Sequence, residues 1–238
     1  MTHAGSDSDL RRRQLALGFP IQPRCTLDEF EAGPNAELVM ALRTPGRAQF
    51  RALWIAGERG SGKSHLLQGA CHAAVARNET AAYLPAQLRE AGPDILDGLG
   101  SFQLVAIDDV DAWLGAVAWE EALLALYQRL FDRRATLVLA ATLAPVHVSI
   151  GLADLASRLR SAETHTLAAL DDTERARAMR RWAARRGLTF GTDVLPFLLR
   201  RLPRRMDALW AAFERLDSAS LAQQRRLTIP LVKEILGL

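Results

Sequence analysis

The sequence has little cysteine, little lysine and no long apolar run. Cys25 and Cys71 are its only cysteines, too few and too far apart for a disulfide framework or a zinc site. A reducing, cytoplasmic compartment is therefore the expectation. No stretch approaches the roughly 18 apolar residues that a membrane span needs. Met1 to Arg13 are polar, with no hydrophobic centre, so neither a secretory signal nor a membrane partner is expected. Lysine occurs only as Lys63 and Lys233, which leaves arginine to carry the positive side of a net charge of +3. That balance permits contact with nucleic acid without arguing for it. No helix-turn-helix, zinc finger or aromatic-basic interleaving adds to it. No internal repeat is present.

What is there is a soluble composition, 49% hydrophobic and 24% charged, in 238 residues, enough for a sizeable core and a smaller second domain. The chain is organised around Gly57-Glu58-Arg59-Gly60-Ser61-Gly62-Lys63-Ser64, which fits the phosphate-binding pattern G-x-x-x-x-G-K-[ST]. The apolar run Leu53 to Ala56 before it reads as a buried strand. His65 to Arg77 after it reads as a helix, so the motif has its strand–loop–helix context. Gly57, Gly60 and Gly62 permit backbone conformations closed to other residues. The loop amides, Ser61 among them, can then face phosphate oxygens at a helix N-terminus. Lys63 would reach the β- and γ-phosphates, and Ser64 would ligate Mg²⁺.

Leu104 to Ile107 is a second apolar run, ending in Asp108 and Asp109. Buried parallel strands deliver acid groups at their C-terminal edge, where ligands of open α/β sheets bind. Asp108 would join the Mg²⁺ shell, and Asp109 would position the attacking water. Ala81 to Leu84 and Thr136 to Ala141 read as further strands. Thr142, at the tip of the latter, would either sense the γ-phosphate or simply end the strand. Val117 to Arg134 is the clearest helix, with Trp119, Leu123, Leu126, Tyr127, Leu130 and Phe131 at core spacing. Gln87 to Leu99 is a short helix or an irregular stretch, broken by Gly92-Pro93. Arg158, in Leu155 to Leu159, is either an arginine finger offered to a neighbouring subunit or an ordinary surface arginine.

Two regions flank this core. Near the N-terminus, Gln14, Leu15, Leu17 and Phe19 form either an edge strand or an extended peptide for a partner's apolar pocket. The segment resembles the Q-L-x-L-x-F peptide with which many bacterial proteins bind the replication sliding clamp. From Asp171 the sequence changes to short helices: one capped at Asp172-Thr173 and ended by Gly187, one capped by Asp193, one striped by Met206 to Leu216, and one opened by Thr228-Ile229-Pro230.

The order of these motifs resembles an AAA+ module, and within that class the bacterial initiator family DnaA. Thr26 to Asn35 resembles that family's T-F-x-x-F-x-x-G-x-x-N entry, which lines the base pocket and brings Phe30, with His65 beside the loop, into the nucleotide site. Closer still is the Hda family of DnaA-related regulators: Gln14 to Phe19, Ala118 to Glu121, Leu155 to Leu159 and Arg215 to Leu238 all fit it. The resemblance implies an α/β P-loop AAA+ module with a parallel sheet, followed by an all-α lid. It divides the chain into a flexible segment at 1–23, the nucleotide-binding core at 24–168 and the lid at 169–238. It also implies bound ADP or ATP with Mg²⁺, weak ATPase activity of its own, Arg158 as a finger in trans, and an edge for self-association. The implied partners are DnaA and the sliding clamp, with DNA met mainly through the clamp. On this resemblance the lid is expected to end at Leu238 and DnaA's DNA-reading domain to be lacking. Where the initiator family places a second sensor arginine after the position of Met206, this chain has Asp207, leaving Arg204 or Arg205 as substitutes. A helicase loader, or a clamp adaptor that does not act on DnaA, are the alternative readings.

Overall fold

The computed structural model describes residues 21–44, 49–223 and 227–238. The chain divides into two compact units. The first comprises the described residues up to Phe30, then Asn35–Glu58 and Lys63–Leu167. The second comprises Glu31–Pro34, Arg59–Gly62 and Ala168–Leu238.

Unit one is a five-stranded sheet in the order β2-β3-β4-β1-β5. The strands are β1 (Arg51–Ala56), β2 (Ala81–Leu84), β3 (Leu104–Ile107), β4 (Thr136–Ala141) and β5 (Glu163–Thr166), and every pairing is parallel. β3 and β4 are buried along their whole length, which accounts for their unbroken apolar sequence: a parallel strand covered on both faces has no polar side to show. β5 is the strand that the sequence reading missed. Its residues Glu-Thr-His-Thr are largely exposed, so the apolar-run signal is absent. It exists because the edge of β1 supplies its partner, with Leu53 opposite Glu163.

The helices of unit one are α1 (Ala36–Arg43), α2 (Lys63–Ala76), α3 (Val117–Asp132) and α4 (Ala153–Arg160). Trp54, Ile107, Trp113, Leu126 and Leu130 are fully buried in its core. Phe131 departs from the expected core stripe. It is 51% exposed and meets Phe50 at a ring-centroid distance of 5.4 Å, because the stripe turns outward in the last turn of α3. The stretch expected over Gln87 to Leu99 is two 3₁₀ segments, Ala86–Ala91 and Pro93–Ser101. Gly92 divides them with φ +91°, a conformation that excludes continuous helix.

Unit two holds α5 (Asp172–Arg185), α6 (Val194–Arg201), α7 (Met206–Gln223) and α8 (Ile229–Leu236). Met179, Leu198, Leu209, Leu216 and Val232 form its core. The cap of α5 is Asp171, one residue earlier than expected. Its side chain accepts from the Glu174 amide while Glu174 reaches back to the Asp171 amide, a reciprocal capping box. Asp193 precedes α6 but makes no side-chain cap bond, its backbone being already helical. Gly187 ends α5 with φ +67°, and Pro230 sits in the first turn of α8. Among the described residues no helix is long and apolar enough to cross a membrane.

Candidate nucleotide-binding site

The ends of β1, β3 and β4 place the candidate residues. The Gly57 amide donates to the Ala141 carbonyl at 3.1 Å, so the loop leaves β1 fastened to β4. Lys63 then opens α2 and is buried, at 5% exposure. Its ammonium donates to the carbonyls of Gly57, at 2.8 Å, and Glu58, at 3.2 Å. It stands 3.9 Å from Asp109 Oδ1. A buried cation is tolerated only when its protons find partners, and here the curl of the loop accepts two of the three. Ser61 Oγ is buried with no hydrogen-bond partner, a polar atom with unused capacity inside a phosphate-type loop. Gly60 and Gly62 have φ of +77° and +109°.

Asp108 is buried, and each of its oxygens has a donor. Oδ1 accepts from the Asp109 amide at 3.0 Å, and Oδ2 accepts from the Tyr83 hydroxyl at 2.8 Å. The Asp108 amide donates to the Leu84 carbonyl at 2.8 Å, which fixes the strand end. Asp109 leaves the strand in a left-handed turn, φ +43°, and that turn brings its carboxylate toward Lys63. Thr142, past β4, is exposed, and its amide donates to Asp111 Oδ2 at 3.0 Å. Burial, then the Asp108 charge, hold the Tyr83 phenol far above its usual ionisation range, so it is a neutral donor.

Mg²⁺ takes few protein oxygens, with phosphate and water completing its shell. The exposed Ser64 hydroxyl and the Asp108 carboxylate, whose oxygens each keep capacity beyond one donor, are a donor set of that kind. Among the described residues no group of three His, Cys, Asp or Glu side chains could hold a metal alone.

Phe30 meets His65 edge to face, with ring centroids 5.5 Å apart. His65 Nε2 lies 2.9 Å from the Thr26 carbonyl. Burial lowers the imidazole's pKa, so the ring is neutral and donates through Nε2. The entry segment is thereby tied to the first turn of α2.

Other expected residues lie in different company. Arg158 Nε donates to Asp154 at 3.0 Å and a terminal nitrogen donates to Gln128 at 3.1 Å. Its guanidinium sits 5.4 Å from the Tyr127 ring centroid. In unit two, Arg204 pairs with Asp172 at 3.1 Å, and Arg205 pairs with Asp207. The Arg205 contact holds the Asp207 carboxyl below its ordinary range. In the same unit the Met206 amide donates to the Gly60 carbonyl at 3.0 Å. A Cβ at Gly60 would lie 2.5 Å from Asp207 Oδ1, a side-chain atom that could shift, so it is the φ of +77° that favours glycine there. Gln14, Leu15, Leu17 and Phe19 lie outside the described residues.

Two residues escaped the sequence reading. Tyr83 passed as an ordinary strand residue. Its register beside Ala106, one strand over from the acidic tip, was the available signal. Glu120, besides its place in the Ala118 to Glu121 tetrapeptide, reads in the sequence as a polar residue off the core stripe of α3, and the structure corrects this. It is buried, and accepts from the amides of Gly115, Gly151 and Leu152 at 2.9, 3.0 and 2.7 Å.

Residues 172–236 match the family model of the Hda lid domain. Domain III of the DnaA replication initiation protein from Thermotoga maritima superposes with a TM-score of 0.78 at 20% identity, covering 92% of this chain and 98% of that one. Residues 172–236 thus carry an Hda-type lid, and the chain shares the fold of DnaA domain III. AMPPCP-bound DnaA from Aquifex aeolicus matches with a TM-score of 0.67 at 20% identity, over 82% of this chain and 65% of that one. A structure of DnaI matches with a TM-score of 0.53 at 14% identity, over 61% of this chain and 92% of that one. At these identities the likeness is one of fold. The Hda-type lid corresponds to unit two, and the AAA+ sheet to unit one.

Proposed function

We propose that this chain is a nucleotide-bound regulator of replication initiation. On this reading it docks on the sliding clamp and stimulates ATP hydrolysis by DnaA in the cytoplasm. The observation that carries the proposal is the pairing of an AAA+ core with an Hda-type lid in one chain. Solved DnaA structures of the same fold hold AMPPCP, which supports a purine nucleotide here.

Lys63, the loop amides from Gly57 to Gly62 and Ser61 Oγ hold the phosphates. Phe30 and His65 flank the base. Ser64 and Asp108 hold Mg²⁺, which neutralises phosphate charge when bound. Asp109 positions water, Thr142 contacts the γ-phosphate, and ADP is the working state. Arg205 is engaged by Asp207 and Arg204 by Asp172, which fits a lid that holds a γ-phosphate weakly. Arg158 acts on the nucleotide of DnaA, and Gln14, Leu15, Leu17 and Phe19 bind the clamp.

The test is DnaA ATP hydrolysis with and without this protein, on free and DNA-loaded clamp. Stimulation that needs both the protein and the loaded clamp is expected; none in any combination overturns the proposal. Strong ATPase stimulated by single-stranded DNA would instead select the alternative reading as a helicase loader.

A further inference from the structure

The Asp108 carboxylate is held from two sides, by its neighbour's amide and by a phenol on the adjacent strand. We infer that Tyr83 is a positioning residue for the metal, its hydroxyl holding the Asp108 carboxylate in the orientation that Mg²⁺ requires; this rests on the nucleotide reading above.

Three observations support it. The hydroxyl donates to Asp108 Oδ2 at 2.8 Å while the Asp109 amide takes Oδ1. A phenol has one proton to give, so it is committed to the carboxylate, and its oxygen is left as an acceptor. The side chains of Ser64 and Gln68 stand beside that oxygen. Gln68 Oε1 accepts from the Gln22 amide at 2.9 Å, which leaves the Gln68 amide NH₂ to support the phenol. Ser64 and Asp108, the two candidate metal ligands, thus both lie next to the Tyr83 hydroxyl, whose hydrogen bond goes to Asp108. Mg²⁺ demands near-ideal octahedral geometry, and outer-shell partners that fix ligand orientation carry tenfold or greater effects on metal affinity. The phosphate contacts of Lys63 and the loop do not pass through Tyr83. Its effect must therefore fall on the metal-dependent part of nucleotide binding alone.

The experiment is calorimetry of the full chain with ADP, in Mg²⁺ and in EDTA. Wild type should bind more tightly with Mg²⁺. In Tyr83→Phe that advantage should shrink by about tenfold, with the EDTA affinity and the melting temperature close to wild type. An undiminished Mg²⁺ advantage in Tyr83→Phe overturns the inference. So does an equal loss in both arms with a lowered melting temperature, which marks a packing role. If Tyr83→Phe does not fold, Gln68→Leu decides. A smaller loss confined to the Mg²⁺ arm supports the inference, and an unchanged advantage overturns it. Wild type that binds ADP equally with and without Mg²⁺ overturns this inference alone. Wild type that does not bind ADP overturns the nucleotide reading beneath it as well.

Discussion

Replacing Glu120 by Gln removes one negative charge from a site with 1% exposure. The carboxylate accepts from Gly115 and Gly151 through Oε1, and from Leu152 through Oε2. It joins the start of α3 to the chain entering α4. Gln has a single acceptor oxygen. If that oxygen keeps the two glycine amides, the Leu152 amide, 2.7 Å from Oε2 in the wild type, faces an NH₂ that cannot accept. Hydrogen bonds to a charged group contribute about 1.5–3 kcal/mol each and neutral ones about 0.5–1.5. One such bond is lost and two are weakened. Because Gly115 and Gly151 are exposed, water recovers part of the loss, and about 2–4 kcal/mol remains. Burial by itself would raise the Glu120 pKa, but the three amide donors outweigh it and the net shift is downward. A depressed carboxyl stabilises the fold above its unfolded pKa, about 4.3, and loses that contribution as pH falls through its folded value. The difference between wild type and variant should thus be flat from pH 8 to 6 and shrink only below about pH 4. Trp113 and Trp119, whose rings lie 4.7 Å apart in the same core, report the unfolding by fluorescence. At pH 7 the urea midpoint should drop by about 1 M or more, given slopes of roughly 1–3 kcal/mol per M. An unchanged midpoint at pH 7, or a difference already gone at pH 6, would refute the assignment.

Lys63→Ala should weaken ADP and ATP binding by about 10- to 100-fold, from the loss of one charged hydrogen-bond donor, as read by calorimetry. Arg158→Ala should leave folding and nucleotide affinity intact while lowering DnaA stimulation by about 10³-fold or more; Arg160→Ala, changed on the same helix, should behave as wild type. Leu17→Ala with Phe19→Ala should abolish retention on immobilised sliding clamp without altering ADP affinity.

The fold was legible where burial imposes a pattern. β3 and β4 show it most plainly, since both of their faces are covered. The turn from Gly57 to Ser64 was legible because glycine stands where φ is positive, at Gly60 and Gly62, just before a helix. Polar elements were harder. β5 owes its existence to β1, and nothing within Glu-Thr-His-Thr announces a strand. The cap of α5 slipped by one residue because Asp171 and Asp172 are both good cap residues. Only the reciprocal Glu174 contact selects Asp171. Tyr83 and Glu120 were hidden for a related reason. Tyr83 acts on Asp108, far away in sequence, and the partners of Glu120 are backbone amides that leave no trace in residue identity.

Arg158 brings the same point to bear on mechanism. Its contacts with Asp154, Gln128 and Tyr127 keep it within its own chain, whereas a finger must reach a neighbour's phosphoryl group. The pairing with Asp154 is a partly exposed pair one helical turn apart, with side-chain exposures of 31% and 58%. Pairs of this kind contribute little and weaken with salt. The contact energy they supply is small beside rate factors of about 10³–10⁵ for an arginine placed at the developing charge of phosphoryl transfer. Nor would departure disturb the helix, since α4 is anchored through Leu155, Ala156 and Leu159, all buried, and not through the arginine. The cis contacts hold the guanidinium at the surface, and the proposed role requires that it exchange them for the partner's phosphoryl group. A buried arginine, such as Arg175 with its bonds to Asp172 and the Arg204 carbonyl, could not leave so easily, and burial is the property that separates a structural arginine from one that can serve a partner.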